Sequence, residues 1–307
     1  MVLDTTNPLP GSRDHRQVAW NERFTAEVKQ NAPIWFREDF GMETDWTSTA
    51  LVPLAAESRL AIIARVEGVI AGLQAAEVVV KEFQESLVWS SVARDGDSVQ
   101  SGAVVGYLSG SVRSILQIER VILNLLGRLS GIATTTRQFV EAVQKTSCRI
   151  YDTRKTVPGW RLLDKYAVRC GGGYNHRMGL YDAILIKDNH LAALRENGEF
   201  PAEAVRRSRE FISRTFSPDR ANEMVVEIEV DSLDQLADVL PAHPDIVLLD
   251  NMSVYELHQA VALRQENSLE IILEASGGIT LENISTIAKS GVDRISTGAP
   301  THTSSWL

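Results

Sequence analysis

The chain has 307 residues, of which 44% are apolar and 23% charged, and this composition is typical of an ordered globular protein. Its net charge of −9 argues against a general nucleic-acid binder, and no apolar run approaches membrane-spanning length. The two cysteines, Cys148 and Cys170, are too few for a disulfide framework and lack a zinc-site spacing. We therefore expect a reduced, cytoplasmic compartment, no membrane partner and no nucleic-acid partner.

Positive charge is concentrated in one stretch of this acidic chain. Residues 113–187 carry 13 Lys and Arg against five Asp and Glu. Part of that excess is a solvated helix face. A local cationic stretch nevertheless suits a small polyanion better than a long phosphate backbone, so we expect an enzyme site for an anionic small molecule here.

The first half of the chain predicts a small sheet with helices. Residues 1–20 are interpreted as a flexible lead-in, followed by helical spacing with breaks at Pro33 and Gly41. Short alternating strands are expected within 60–72 and 86–111, and then one long or two abutting helices over 114–143. The glycine turns around residues 96–106 also resemble a lipoyl-type carrier, but no lysine stands at a hairpin tip, so we favour a structural sheet.

The second half alternates apolar strands with amphipathic stretches, which predicts a parallel sheet covered by helices. Six units favour a closed or nearly closed barrel over an open doubly wound sheet, because the first strand lacks a G-x-G-x-x-G turn. The six strands are expected in CRIYD, DAILIKD, MVVEIEV, DIVLLDN, EIILEAS and VDRIST. Their carboxyl ends should carry the chemistry, as in barrels generally.

The densest group of candidate site residues runs from Asp152 to Lys187. Arg154 and Lys155 follow a strand, while His176 and Arg177 follow three glycines that allow a close backbone approach. Arginine offers a planar fork to carboxylates or phosphates, and lysine a point charge, so two such pairs suit a dicarboxylate. Ion pairing with nearby acids is the weaker alternative, because few acids lie in this stretch.

A second group is acidic and lies on later strands. Glu229, Asp250 and Glu274 offer the oxygen ligands that Mg²⁺ uses when it also holds substrate phosphates. Glu227 is interpreted instead as neutralising the cationic side chains. The loops after the last two strands, residues 275–280 and 296–302, are rich in small residues and predict a phosphate site built from backbone N–H groups.

These motifs together resemble the quinolinate phosphoribosyltransferase family. The resemblance runs from about Glu38 to His302, and its landmarks are EDFGMETDWTS, GVIAG, ERVILNLLGRLSGIAT, DTRKTVPG, KYAVRCGGGYNHRMGLYDAILIKDNH, IVLLDNM and LEASGGIT. Two departures stand out: Thr44 precedes Asp45 where the family tends to have glycine, and the chain stops early after Trp306.

The resemblance implies an α/β protein with an N-terminal α/β sandwich domain (residues 21–130) and an incomplete seven-stranded TIM-like barrel (131–307). The last residues are candidates for packing on the N-terminal domain. It further implies transfer of phosphoribose from 5-phosphoribosyl 1-pyrophosphate (PRPP) to quinolinate with decarboxylation, in NAD biosynthesis. A homodimer with a shared active site is implied, and a higher oligomer stays open.

The resemblance also assigns roles to residues. Arg120 would reach into the partner subunit's site, Arg154, His176 and Arg177 would bind the quinolinate carboxylates, and Lys155 and Lys187 would lie between acceptor and diphosphate. Glu229 and Asp250 would serve Mg²⁺ and the ribose hydroxyls. The 5′-phosphate would be held by two short segments: Ser276, Gly277 and Gly278, and Thr297, Gly298 and Ala299.

Three other functions compete with this one. A related phosphoribosyltransferase could use nicotinate without decarboxylation, but the doubled cations favour two carboxylates. A barrel aldolase would use Lys187 as a Schiff-base nucleophile. A carrier or binding module would leave the polar strand ends unexplained.

Overall fold

The computed structural model describes residues 13–195, 200–267 and 270–307. The chain forms two compact units. The small-sheet unit contains Val18–Arg137, Val157–Gly172 and Thr303–Leu307, and the parallel-sheet unit contains the described residues 13–17 together with Gln138–Thr156 and Gly173–His302. Each unit is thus assembled from separate stretches of chain, whereas the sequence predicted contiguous domains with a boundary after residue 130.

The small-sheet unit joins a three-stranded antiparallel sheet to helices. Its sheet has the order β1-β5-β3, and β2 and β4 form a separate pair. The strands are β1 (Glu57–Ile63), β2 (Gly68–Val69), β3 (Val88–Ser91), β4 (Ser98–Val99) and β5 (Val104–Ser111). The helices are α1 (Glu22–Phe40), α2 (Trp46–Leu51), α3 (Leu73–Phe83), α4 (Val112–Val143, which continues past Arg137 into the other unit) and α5 (Arg161–Cys170).

Polar side chains fix the helix ends of this unit. The Asn21 side chain accepts a hydrogen bond from the Phe24 N–H at 2.9 Å and so caps α1. Asp95 accepts from the Leu73 N–H at 2.8 Å, which satisfies a free amide at the start of α3, and the Tyr166 hydroxyl donates to the same carboxylate. Burial raises the pKa of Asp95, while these donors oppose the rise.

Helix α4 is one uninterrupted helix of 32 residues, which agrees with the helical spacing over 114–143. Its glycines allow the last residues of the chain to lie against it. The Leu307 N–H donates to the Gly127 carbonyl at 3.2 Å, and a Cβ atom at Gly131 would collide with the Ser305 carbonyl. Residues 303–307 therefore pack within the small-sheet unit.

The parallel-sheet unit contains six parallel strands in the order β6-β11-β10-β9-β8-β7. All six coincide with the strands predicted from the sequence: β6 (Arg149–Tyr151), β7 (Ile184–Ile186), β8 (Val226–Val230), β9 (Ile246–Asp250), β10 (Ile272–Ser276) and β11 (Arg294–Ser296). Helices follow the strands as expected: α6 (Asp188–Arg195), α7 (Pro201–Thr215), α8 (Pro218–Glu223), α9 (Leu233–Val239), α10 (Val254–Glu266), α11 (Ile284–Ala288) and α12 (Ala299–His302), with a 3-10 turn at Leu240–Ala242.

The sheet is not closed among the described residues. Strands β6 and β7 are its two edges, and the segment between them makes only one parallel bridge, Tyr151 with Tyr174. The α/β class with a small-sheet N-terminal half and a parallel sheet is confirmed, but the expected seventh strand is absent from the described chain. The three glycines at 171–173, just before Tyr174, lower the strand propensity of this segment.

Residues 13–17, predicted to belong to a flexible lead-in, pack inside the parallel-sheet unit. His15 is 4% exposed, and its Nε2 lies 3.2 Å from Glu227 Oε2. Residues 1–12 of that lead-in lie outside the described residues. In the described ranges, no helix is long and apolar enough to span a bilayer.

Candidate active site

A cavity of about 670 Å³ opens at the carboxyl ends of the parallel strands, within the range of small-molecule sites. Its walls come from strand ends and from the loops that follow them. The residues lining it are Thr153, Arg154, Lys155, His176, Arg177, Leu185, Lys187, Glu229, Leu248, Asp250, Asn251, Ser276, Gly277, Gly278 and Ser296. The folded chain therefore brings together most of the residues that the sequence singled out.

Four permanent cations line this cavity: Arg154, Lys155, Arg177 and Lys187. Arg177 is buried, its Nη1 donates to the Ala183 carbonyl at 3.2 Å, and its Nε has no partner among the described residues. Burial lowers the pKa of Arg177, an effect that Glu227 opposes and Arg154 reinforces. A buried donor without an acceptor is costly, and an anionic ligand would satisfy it.

His176 lies at the wall of the cavity with both ring nitrogens engaged by the protein. Its Nδ1 accepts from the Arg177 N–H at 2.8 Å, so Nε2 is the ring nitrogen that carries a hydrogen. Nε2 lies 3.1 Å from Glu227 Oε2 and donates to that carboxylate. The ring is therefore held between Glu227 and the backbone of Arg177.

Acidic side chains divide between the cavity and the buried interior. Glu229 forms an ion pair with Lys187, and Asp250 accepts from the Asn251 side chain at 2.8 Å. Both acids line the cavity. Glu274, expected among the Mg²⁺ ligands, is instead fully buried and paired with Arg294, so this part of the prediction is wrong. Burial raises the pKa of Glu274 although Arg294 opposes the rise.

Two glycines shape the side of the cavity that carries Asp250. Gly277 has φ +92°, and a Cβ there would collide with the Asn251 side chain. Gly278 has φ +59°, and a Cβ there would meet no atom within 4 Å. Asn251 itself has a positive φ of 54°. The backbone is thus held in a left-handed conformation beside open space, which is how backbone groups come close to a ligand.

Comparison with known proteins supplies the family. Two family models match, the quinolinate phosphoribosyl transferase N-terminal domain over residues 45–130 and the C-terminal domain over 132–307. The chain belongs to the quinolinate phosphoribosyltransferase family. The same family is represented by curated relatives and by a solved structure of high similarity.

One quinolinate phosphoribosyltransferase relative, the nicotinate-nucleotide pyrophosphorylase (carboxylating) of Mycobacterium leprae, is 41% identical over 267 residues, covering 86% of this chain and 89% of the relative. A probable enzyme of the same name from Synechocystis is 39% identical over 284 residues, covering 89% and 88%. The solved nicotinate-nucleotide pyrophosphorylase of Francisella tularensis is 35% identical with a TM-score of 0.84, covering 96% and 98%.

In this quinolinate phosphoribosyltransferase, the predicted phosphate segment 297–299 is not part of the cavity lining. The Thr297 N–H donates to the Tyr151 carbonyl at 3.0 Å. At Gly298 a Cβ would lie 2.9 Å from Lys155 Cδ, and the Thr301 hydroxyl donates to the Lys155 carbonyl at 2.7 Å. The segment therefore positions Lys155.

Arg120 lies in the small-sheet unit, on α4, and its side chain is exposed. Leu116 and Leu123, one helical turn to either side, are also exposed, as are Leu60 and Ile63 of β1. Exposed leucines one helical turn to either side of an exposed arginine are typical of an interaction surface.

Sequence reasoning missed several side chains in or next to the cavity. Asn251, which lines the cavity, ends the predicted strand DIVLLDN, so its position at a strand end was the available signal. His15 and Gln17 had none, because a histidine in a polar N-terminal stretch has no periodicity that would place it in a core.

Proposed function

We propose that this chain transfers the phosphoribosyl group of PRPP to quinolinate and releases CO2 and diphosphate, giving nicotinate mononucleotide for NAD biosynthesis. One observation carries the proposal: four cations and two carboxylates surround a single cavity at the strand ends. Both substrates are multiply anionic, and PRPP also carries the hydroxyls and diphosphate that carboxylates and Mg²⁺ bind.

The acceptor half of the cavity is formed by Arg154, Arg177 and His176. Two guanidinium forks match two carboxylates, and the Nε of Arg177, which has no acceptor within the described part of the chain, offers a donor inside a buried environment. The His176 ring forms part of the wall and holds the Arg177 backbone. This half therefore suits quinolinate, whose two carboxylates are adjacent on the pyridine ring.

The donor half is formed by Lys155, Lys187, Glu229 and Asp250. Two ammonium groups suit a leaving diphosphate, and the carboxylates suit ribose hydroxyls and the metal. Glu229 and Asp250 are the residues that would hold Mg²⁺, because they are the carboxylates in the cavity lining. When bound, Mg²⁺ would offset the negative charge of the diphosphate. Gly278, where a Cβ would meet no atom within 4 Å, leaves room in the same cavity for the 5′-phosphate.

The reaction follows from this arrangement. The lone pair of the pyridine nitrogen forms a bond to C1 of the ribose, and the bond from C1 to the diphosphate oxygen breaks with its electrons going to diphosphate. Lys155 and Lys187 stabilise that charge. The bond between C2 and its carboxylate then breaks, CO2 leaves, and the cationic ring holds the electron pair at C2 until a proton from water replaces the carboxylate.

The aldolase hypothesis fits the site less well. Lys187 forms an ion pair with Glu229, so its amino group is engaged by a carboxylate, whereas a Schiff-base lysine needs a free amine to attack a carbonyl. A nicotinate-specific transferase would need one carboxylate site, which leaves one of Arg154 and Arg177 without a role.

A homodimer with a shared site, and a cytoplasmic location, also belong to this proposal. The exposed Arg120 with its apolar neighbours supports the first, because a partner would cover those leucines. The cytoplasmic location is supported by the two cysteines, which are buried and form no disulfide. Burial raises the pKa of Cys148 to about 12.

The test is a comparison of acceptors in nucleotide formation from PRPP. We expect turnover with quinolinate and little with nicotinate, and we expect Arg154→Ala to raise the KM for quinolinate by about two orders of magnitude. The exposed Arg214, paired with Glu210 on α7, supplies the control Arg214→Ala, which should keep wild-type constants. A preference for nicotinate, or an Arg154→Ala enzyme with the wild-type KM, would contradict the proposal.

A further inference from the structure

A buried polar cluster adjoins the cavity without being part of its lining, apart from one shared residue. It consists of Asp14, His15, Tyr151, His176, Glu227, Glu274 and Arg294, and His176 alone of these also lines the cavity. Glu227 and Glu229 are two residues apart on β8, so their side chains lie on the same face of the strand at successive levels. The cluster is therefore the layer next to the cavity, toward the amino ends of the strands.

Charges inside the cluster compensate one another. Arg294 pairs with Glu274, donates to Asp14 at 2.6 Å and lies 3.7 Å from Glu227. The Glu227 carboxylate lies 3.2 Å from His15 Nε2, 3.1 Å from His176 Nε2 and 3.7 Å from the Arg294 guanidinium. Glu227 therefore accepts hydrogen bonds from both histidine rings.

His15 is the residue of the N-terminal segment that enters this cluster. Its Nε2 lies 3.2 Å from Glu227 Oε2, the atom that also accepts from His176. The two imidazole rings lie 4.2 Å apart between centroids with a tilt of 33°. One carboxylate oxygen thus ties His15 and His176 together, and the rings contact each other directly.

Gln17 fixes the backbone next to His176. Its Oε1 accepts from the Asn175 N–H at 2.7 Å, and its Nε2 donates to the Asn175 carbonyl at 3.2 Å. Asn175 directly precedes His176, whose own N–H donates to Asp152 at 2.8 Å. Residues 14–17 therefore hold His176 by its ring and by its backbone, and His176 in turn holds the Arg177 N–H.

A metal site is the competing interpretation, since ligand atoms of His15, His176 and Glu227 lie within 4.8 Å of one another. Metal binding needs a lone pair on the nitrogen that ligates. The Nδ1 of His176 already accepts from a backbone N–H, so Nε2 carries the hydrogen and has no lone pair to offer. The geometry is that of hydrogen bonds.

We propose that His15 is a positioning residue for the acceptor half of the cavity, acting through Glu227 and His176 on Arg177, with Gln17 as its backbone counterpart. The inference rests on the proposed function insofar as the acceptor is quinolinate. It gives residues 14–17, at the opposite end of the sequence from the last strands, a part in acceptor recognition.

Kinetics of three variants test the proposal. His15→Phe keeps a ring against His176 but removes the donor to Glu227, and we expect the KM for quinolinate to rise about tenfold with the KM for PRPP unchanged within about twofold. His15→Gln restores an N–H donor and should recover most of the loss. Gln17→Ala, at a partly exposed position, should also raise the KM for quinolinate and leave the KM for PRPP unchanged. This variant tests the proposal even if His15→Phe does not fold.

The control is His258→Gln on the exposed face of α10, which should keep both constants. A wild-type KM for quinolinate in both His15→Phe and Gln17→Ala would overturn the proposal. An equal rise in both KM values would overturn it as well, because a general loss of structure does not distinguish acceptor from donor. Zinc bound at one ion per chain and lost in His15→Phe would establish the metal interpretation instead.

A spectroscopic measurement separates this proposal from the proposed function. In protein with 15N-labelled histidine, the His176 signals, assigned by their loss in His176→Gln, should show a protonated Nε2 and an unprotonated Nδ1. We expect His15→Phe to shift these signals or mix the tautomers, whichever acceptor the enzyme uses. Unchanged His176 signals would overturn the positioning role, while absence of turnover with quinolinate in the wild type would overturn only the proposed function.

Discussion

At the scale of single residues, the site depends on side chains whose charge state is set by burial. His15 shows this most directly: burial lowers its pKa from 6.5 to about 4, and the hydrogen bond to Glu227 opposes this effect. The ring is therefore neutral where most enzymes work, which suits a hydrogen-bond donor to Glu227. Glu274 was expected to bind Mg²⁺ but instead pairs with the buried Arg294. An acidic residue on a strand can therefore neutralise a buried arginine as well as bind a metal.

The lowered pKa of His15 predicts a pH dependence of stability. Above pH 6.5 the ring is neutral in the folded and unfolded chain, so its contribution is fully present; as the pH falls toward 4, only the unfolded chain gains a proton. We expect the free energy of unfolding to lose about 3 kcal/mol from this group between pH 7 and pH 4. Urea titrations at several pH values measure it.

The control for this prediction is His15→Gln, which does not titrate in that range. Its free energy of unfolding should fall less steeply between pH 7 and pH 4 than that of the wild type, by about the same 3 kcal/mol. Acids remote from His15 titrate alike in both proteins and cancel in the comparison, and the glutamine keeps an N–H donor for Glu227. Two parallel pH profiles would contradict the lowered pKa of His15.

At the scale of elements, strands and their ends were predictable and the loops were only partly so. All six parallel strands follow from apolar runs, because a strand buried on both faces needs nearly continuous hydrophobic residues. Loop geometry depends on tertiary contacts, which is why segment 297–299 was assigned to phosphate but lies against Lys155. The seventh strand was implied only by the family resemblance. The described residues form six parallel strands and one isolated bridge, between Tyr151 and Tyr174.

The loop after β10 gives a prediction at this scale. Gly277→Ala places a Cβ against the Asn251 side chain, which bonds to Asp250, so we expect the KM for PRPP to rise about tenfold or more. Gly102→Ala is the matched control. Its φ of +85° imposes a backbone strain of about 1–2 kcal/mol, similar to that at Gly277, but the added Cβ would meet no atom within 4 Å. Equal KM values for PRPP in the two variants would count against a PRPP site beside Gly277.

At the scale of the whole molecule, the cationic stretch of the sequence serves two different units. Arg154, Lys155, Arg177 and Lys187 line the cavity of the parallel-sheet unit, while Arg120 belongs to the small-sheet unit. Composition could reveal the excess charge but could not divide it, because the division depends on which stretch of chain each unit contains. Residues 13–17 illustrate the same limit, since nothing local in their sequence predicts packing beside Glu227.

A shared active site predicts complementation between subunits. Arg120→Ala and Lys187→Ala should each be nearly inactive alone, whereas co-expression should restore about a quarter of wild-type activity, because random pairing makes half of the dimers mixed, each with one intact site. Co-expressed Lys155→Ala and Lys187→Ala are the control and should stay inactive, since both residues line one cavity. Mixed dimers without activity in the Arg120 pair would contradict a site completed by the partner.

We propose that one cavity joins quinolinate to PRPP and removes the carboxylate on C2. Quinolinate labelled with 13C at that carboxylate and incubated with PRPP and Mg²⁺ tests this reaction. We expect one labelled CO2 for each diphosphate released, no label in the nucleotide, and no release without PRPP. Diphosphate release with the label retained in the nucleotide, or label release without PRPP, would contradict it.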